Sequence, residues 1–93
     1  MNEFDNKIEK VSELMKSFSN KDKLSILCSL WVWEKNVTEI ISSVKLSQSQ
    51  TSQYLWKMKL EWLLISEKKW KEVYYKISDK KVLELISVLK NIF

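Results

Sequence analysis

The sequence predicts a mostly α, α+β protein: a winged helix-turn-helix with five helices and a two-stranded β-hairpin as the wing. Three observations lead to this fold. Apolar residues recur at helical spacing through most of the chain. Two capping pairs, Asn36 with Glu39 and Ser47 with Gln50, start consecutive helices. An alternating, aromatic-rich stretch, KEVYYKI (71–77), then interrupts the helices and indicates a strand.

The first two predicted helices precede the capping pairs. The first spans 3–18 and carries one apolar stripe, formed by Phe4, Ile8, Val11, Leu14, Met15 and Phe18. Ser19 and Asn20 interrupt the pattern, and Asn20 can cap a second helix. That helix ends near residues 31–33, and its expected core positions are Leu24, Leu27, Cys28 and Leu30.

The remaining elements follow in order. The third helix covers 37–44 and the fourth runs from 48 to about 61, so residues 37–61 form the helix-turn-helix unit. A short strand at 63–66, a turn at 67–70 and a return strand at 71–77 make a wing over 63–77. A last helix over 79–93 carries its stripe at Val82, Leu85, Ile86, Leu89 and Phe93. The whole chain, 1–93, is therefore predicted to be one domain.

The composition of the chain excludes several classes of function. The net charge is +4 and every basic residue is Lys, which favours a polyanionic partner. One Cys and no His exclude a disulfide framework and the usual zinc sites, so we expect no metal and no cofactor. Without a His base, a Gly-rich loop or paired carboxylates, an enzyme is not expected. No apolar run is long enough to cross a bilayer, so we expect a cytoplasmic protein.

The chain has five Trp and no Gly, and three of the Trp fall where a fold of this kind needs Gly. Trp33 and Trp62 follow helices, and Trp70 lies in the wing turn; both places favour a positive φ. One interpretation is that the gene's UGA triplets encode glycine and are printed as Trp. The other is that the indoles are genuine and the turns are strained. The question concerns Trp31, Trp33, Trp56, Trp62 and Trp70.

Four stretches resemble the ArsR/SmtB family of winged-helix repressors: KLSILCSL (23–30), VTEI (37–40), LSQSQTSQYLWKMKLEWLL (46–64) and VYYKISD (73–79). The resemblance covers the chain from residue 19 onward. It implies a homodimer that binds an inverted repeat in double-stranded operator DNA and releases it when an inducer arrives. It also implies that the first and last helices, 3–18 and 79–93, form the dimer interface.

The fourth helix is the expected DNA-reading element. Thr51, Leu55 and Met58 should point inward, which leaves the opposite side of the helix to face DNA. Base-edge contacts are expected from Gln48, Ser49, Ser52 and Gln53. Ser47 and Ser49 could also hold a phosphate at the helix N-terminus, and backbone contacts are expected from Lys57, Lys68, Lys69 and Lys71. The alternatives are an ordinary solvated helix face and a winged-helix module that binds protein.

The sequence says less about the inducer than about the DNA-reading helix. The metal-binding patterns of the family are absent. The stretch ILC (26–28) followed by EKNVTEI (34–40) looks like the BigR/SqrR-like branch, which senses persulfides and other reactive sulfur through two Cys. Here Cys28 matches the first, and no second Cys occurs up to Phe93. The C-terminus is then incomplete, or Cys28 pairs across the dimer, or it is a relic that packs as a small hydrophobe. A repressor without a sensor is a further alternative.

Overall fold

The computed structural model describes residues 3–93, so the first two residues of the predicted domain lie outside the described part. Its elements, in chain order, are α1 (Glu3–Ser19), α2 (Lys21–Ser29), β1 (Lys35–Asn36), α3 (Val37–Ser43), α4 (Gln48–Leu60), β2 (Leu64–Lys69), β3 (Glu72–Ile77) and α5 (Lys80–Ile92). The predicted winged helix-turn-helix with five helices is confirmed.

Both capping boxes form as the sequence predicts. At α3 the Asn36 side chain accepts the Glu39 backbone N–H at 2.8 Å, and the Glu39 carboxylate accepts the Asn36 N–H at 3.0 Å. At α4 the Ser47 hydroxyl and the Gln50 side chain make the same exchange, both bonds at 3.1 Å. These bonds satisfy backbone donors that a helix start otherwise leaves without partners, which fixes where each helix begins.

The sheet differs from the prediction in two ways. It has three strands in the order β1-β3-β2, because Lys35 and Asn36 pair with Tyr75 and Tyr74. A strand of two residues carries too little alternation to be read from sequence. The hairpin is also tighter than the predicted turn at 67–70: residues 67–69 continue β2, and Lys69 pairs with Glu72. Only residues 70 and 71 are left to form the turn.

The core lies where α2, α3, α4, α5 and the base of the sheet meet. Its fully buried side chains include Ile26, Leu27, Leu30, Ile40, Leu55, Met58, Leu64 and Ile86. The expectation for α2 was partly wrong, since Ile26 is buried whereas Leu24 and Cys28 are only half-buried. Helix α2 contacts three other helices, α1, α3 and α4. Its buried face is therefore broader than the single apolar stripe that the sequence predicted, and it is rotated about the helix axis.

Helices α1 and α5 keep much of their apolar surface exposed. On α1, Leu14 and Phe18 pack against the core, but the rest of the predicted stripe is exposed: Phe4, Ile8, Val11 and Met15. On α5, Val82 and Ile86 are buried, whereas Val88, Ile92 and Phe93 are exposed. Phe93, which was predicted to lie on the packed stripe, is 98% exposed because the helix ends beyond the core.

Two of the three suspect Trp positions do require a left-handed backbone. Trp62 and Trp70 both have φ of 61°, and no other non-glycine residue among 3–93 has a positive φ. Trp62 follows α4 in a Schellman arrangement: its N–H donates to Lys59 O at 3.1 Å, and the Leu63 N–H donates to Met58 O at 3.0 Å. Trp70 is the first residue of the two-residue hairpin turn, where a type II′ turn places Gly.

The prediction for Trp33 is wrong. Helix α2 closes at Leu30 with φ of −99°, so the chain leaves the helix without a left-handed residue. Trp33 then lies in an exposed bend with an ordinary backbone. The backbone therefore favours glycine at positions 62 and 70, and not at position 33.

We expect Trp70→Gly and Trp62→Gly each to raise the free energy of unfolding by about 1 kcal/mol, because removing Cβ relieves a strain that outweighs the entropy of Gly in the unfolded chain. Urea unfolding followed by circular dichroism measures this. Trp33→Gly is the matched control, since its indole is also exposed but its φ is not positive; it should leave stability unchanged or lower it. Equal effects at all three positions would refute the strain.

Candidate nucleic-acid interface

Helix α4 separates into a packed side and an exposed side. Thr51, Leu55 and Met58 are buried at 0–1% exposure, as predicted. The opposite side faces solvent and is mostly polar, with one large indole, and its exposed residues include Gln48, Ser49, Ser52, Gln53, Trp56 and Lys57. The packing of one side against the core thus aims a row of hydrogen-bonding side chains outward.

Ser47 has a structural role at the same helix end. Its hydroxyl oxygen accepts the Gln50 N–H, and its hydroxyl also lies 3.2 Å from the Gln50 Oε1. The side chain is therefore committed to capping, and Ser49 is the other predicted phosphate-binding hydroxyl at this end. The N-terminal backbone amides of α4 add a partial positive charge there, which suits a phosphate.

Two side-chain contacts attach α4 to α2, and sequence reasoning missed both. Lys23 Nζ forms a two-pronged ion pair with the Glu61 carboxylate at 2.6 and 2.7 Å. The Tyr54 hydroxyl donates to Asp22 Oδ2 at 3.2 Å. Lys23 is largely shielded, with 12% of its side chain exposed, so this pair is less screened than a surface pair. Together the contacts fix the rotation of α4 about its axis relative to α2.

The wing lysines fall into two groups. Lys68 and Lys71 are exposed near the hairpin tip. Lys69, also predicted to contact the DNA backbone, pairs with Glu34 and lies over the Tyr74 ring, with its Nζ 5.8 Å from the ring centroid. The hydrogen bond to Glu34 raises the pKa of Lys69 above its ordinary value. The structure thus places Lys69 in an intramolecular ion pair and leaves Lys68 and Lys71 exposed, and the DNA contacts of all three stay a prediction.

Cys28 lies half-buried on α2 and lines a shallow cavity of about 470 Å³ with Lys21, Leu24, Ser25, Ser29 and Ser43. The cavity reaches from α2 to the last turn of α3, since Ser43 is the final residue of that helix. Within residues 3–93 no group of three or more His, Cys, Asp or Glu side chains could hold a metal ion. In the same part of the chain no helix is long and apolar enough to span a membrane.

Comparisons with known proteins agree with this geometry. No protein-family model matches the chain. The transcriptional activator HlyU of Vibrio cholerae is 31% identical over 93 residues, covering all of this chain and 86% of HlyU. The transcriptional repressor PagR of Bacillus anthracis is 37% identical over 94 residues, covering 95% of this chain and 94% of PagR.

Solved structures give the same result. Reduced HlyU superposes with a TM-score of 0.89 at 31% identity, covering 100% of this chain and 98% of that one. The repressor BigR of Xylella fastidiosa superposes with a TM-score of 0.89 at 23% identity, covering 100% and 97%. At that identity the likeness to BigR shows a shared fold.

A capped, outward-facing helix beside a β-hairpin wing defines a DNA-binding transcriptional regulator of the winged helix-turn-helix class. Together with relatives above 30% identity over nearly their full length, this shows that the chain belongs to the ArsR/SmtB family of winged-helix transcriptional regulators. One of these relatives is named as an activator and the other as a repressor. Membership of the family therefore shows that the chain regulates transcription, but it does not show whether the chain activates or represses.

Proposed function

We propose that the protein is a homodimeric repressor that reads an inverted-repeat operator with one α4 from each protomer. The observation that carries the proposal is the exposed Ser/Gln side of α4, which is fixed by a capping box at its start and by buried side chains behind it. A rigid helix can present its side chains to the major groove without first paying the entropy of ordering them.

The reading residues divide by chemistry. Gln48 and Gln53 carry the amide that can bond adenine in a two-pronged way, and Ser49 and Ser52 can bond several base edges. Lys57 at the C-terminal end of α4 and Lys68 and Lys71 on the wing supply phosphate contacts, which position the protein without specifying sequence. Two copies of α4 about 34–36 Å apart then read successive turns of one face of the duplex.

The proposed homodimer is supported by the exposed apolar surface of α1 and α5. Phe4, Ile8 and Val11 are 51–67% exposed although they form the apolar stripe of an amphipathic helix. Ile92 and Phe93 extend the apolar surface at the end of α5. Apolar patches of this kind mark association surfaces in proteins this small. A second copy of the chain would cover them with matching stripes.

Gln53→Ala should weaken binding to the operator by about 1–3 kcal/mol and leave binding to random DNA unchanged, because it removes a base contact. Fluorescence anisotropy with a labelled duplex taken from upstream of the protein's own gene, and with a scrambled duplex, measures both affinities.

Lys57→Ala is the companion variant. Loss of a phosphate contact should weaken both duplexes alike and reduce the slope of log affinity against log salt by about one. If Gln53→Ala leaves operator affinity intact, α4 does not read bases, and the protein-binding module becomes the better interpretation of this surface.

Ile8→Glu should convert the protein to a monomer, because a charge on the stripe of α1 would be buried in the dimer without a partner. Sedimentation velocity across a concentration series measures the association. Asn6→Glu adds the same charge to a different side of α1, and it should leave the dimer intact. Dimerisation that survives Ile8→Glu would mean that α1 is not the interface.

We also assign the inducer response to Cys28. Its thiolate attacks a sulfur of a polysulfide, a new S–S bond forms at Cys28, and the donor's S–S bond breaks to release a shorter polysulfide. The cavity around Cys28 gives a small donor access and extends to Ser43 on α3. A persulfide there adds bulk and charge between α2 and α3, which changes the packing behind the helix-turn-helix.

Polysulfide treatment should lower the operator affinity of the reduced wild-type protein, and Cys28→Ser should abolish that response while keeping basal binding. The assay is the same anisotropy titration, with the persulfide checked by mass spectrometry. A wild-type protein that acquires the persulfide but keeps its affinity would assign Cys28 to core packing and leave a repressor without this sensor.

A further inference from the structure

A single side chain, that of Asn36, joins the start of α3 to the wing. Its amide oxygen accepts the Glu39 backbone N–H at 2.8 Å and so caps α3. Its amide nitrogen donates to Glu72 Oε2 on β3 at 2.9 Å. The same planar amide therefore holds the first turn of the helix-turn-helix and the wing in one fixed relation.

The acceptor of this bond is itself held in place. The Tyr74 hydroxyl donates to the same Glu72 oxygen at 3.2 Å, and Tyr74 pairs with Asn36 across β1 and β3. Partial burial raises the pKa of Tyr74, and the hydrogen bond to Glu72 adds to the rise, so the hydroxyl remains a donor at neutral pH. Two donors thus converge on one carboxylate.

Backbone pairing alone gives the wing a small attachment on this side. Strand β1 has two residues, so its ladder with β3 is short compared with the six-residue pairing of β2 and β3. With so short a ladder, the side-chain bond from Asn36 to Glu72 adds to what holds β1 against β3. The ion pair between Glu34, next to β1, and Lys69, at the end of β2, adds a second contact that reaches across the sheet.

We propose that Asn36 is a positioning residue for DNA binding, which sets the angle of the wing relative to α4 through its bond to Glu72. Lys68 and Lys71 on the wing and the Ser/Gln side of α4 can engage one duplex together only when that angle is correct. Fixing it in advance removes an ordering cost from binding. The inference rests on the proposed function, because it concerns how two elements share one DNA site.

Asn36→Asp separates the two roles of the side chain. Asp caps helices as well as Asn does, so α3 keeps its start. The new carboxylate cannot donate to Glu72 and repels it. Operator affinity should fall about tenfold, the loss expected for one hydrogen bond to a charged group. Amide hydrogen exchange without DNA should accelerate at Tyr74 and Tyr75 and stay unchanged in α3.

A double variant that exchanges the amide and the carboxylate supplies the control. In the double variant Asn36→Asp with Glu72→Gln, the donor and the acceptor exchange sides and the bond can re-form. Operator affinity and exchange protection should return to within about twofold of wild type, because two residues in direct contact are coupled and the exchanged pair restores the bond. Glu72→Gln alone keeps an acceptor oxygen and should lose less than Asn36→Asp.

Three outcomes separate this inference from the function on which it rests. An unchanged operator affinity in Asn36→Asp overturns the positioning role, and so does a double variant that stays as weak as the single one. If the wild-type protein does not distinguish its own upstream duplex from a scrambled one, the proposed function fails instead. The exchange measurement uses no DNA, so it still decides whether Asn36 holds the wing.

Discussion

The burial of Leu55 and Met58 beneath α4 is the constraint on which the rest of the structure depends. Once these side chains enter the core, the helical repeat leaves Ser49, Ser52 and Gln53 on the outside. A rotation of the helix by one residue would bury a Gln amide without a partner and expose a Leu, and both changes cost free energy. Apolar packing therefore determines which side of α4 faces solvent.

A second constraint comes from the two places where the backbone is left-handed. The Schellman exit at Trp62 turns the chain from α4 into β2, and the turn at Trp70 reverses it into β3. The wing could not begin beside α4 or fold back without them. Both positions have an exposed indole where a Cβ is disfavoured, so the demand for Gly there arises from the backbone and not from any contact of the side chain.

Most of the fold could be predicted from local sequence patterns. The features that could not be predicted depend on contacts between residues far apart in the chain. Capping boxes and apolar periodicity act within four residues, so α3 and α4 could be placed closely. The bonds from Lys23 to Glu61 and from Asn36 to Glu72 join residues that are 38 and 36 positions apart. The sequence around either residue of such a pair contains no pattern that predicts the other residue. Strand β1 was missed for the same reason, since only β3 makes it a strand.

The division of the wing lysines follows from the two-residue repeat of a strand. Leu64 and Ile77 are paired and buried, so alternation places Lys68 on the side of the sheet that faces the helices. Lys69 falls on the other side with Glu67, Glu72 and Tyr74, where carboxylates surround it. The exposed ion pair with Glu34 offsets part of the charge of Lys69, and solvent screens the rest. The two-residue repeat of the strand thus gives neighbouring lysines of one hairpin different surroundings.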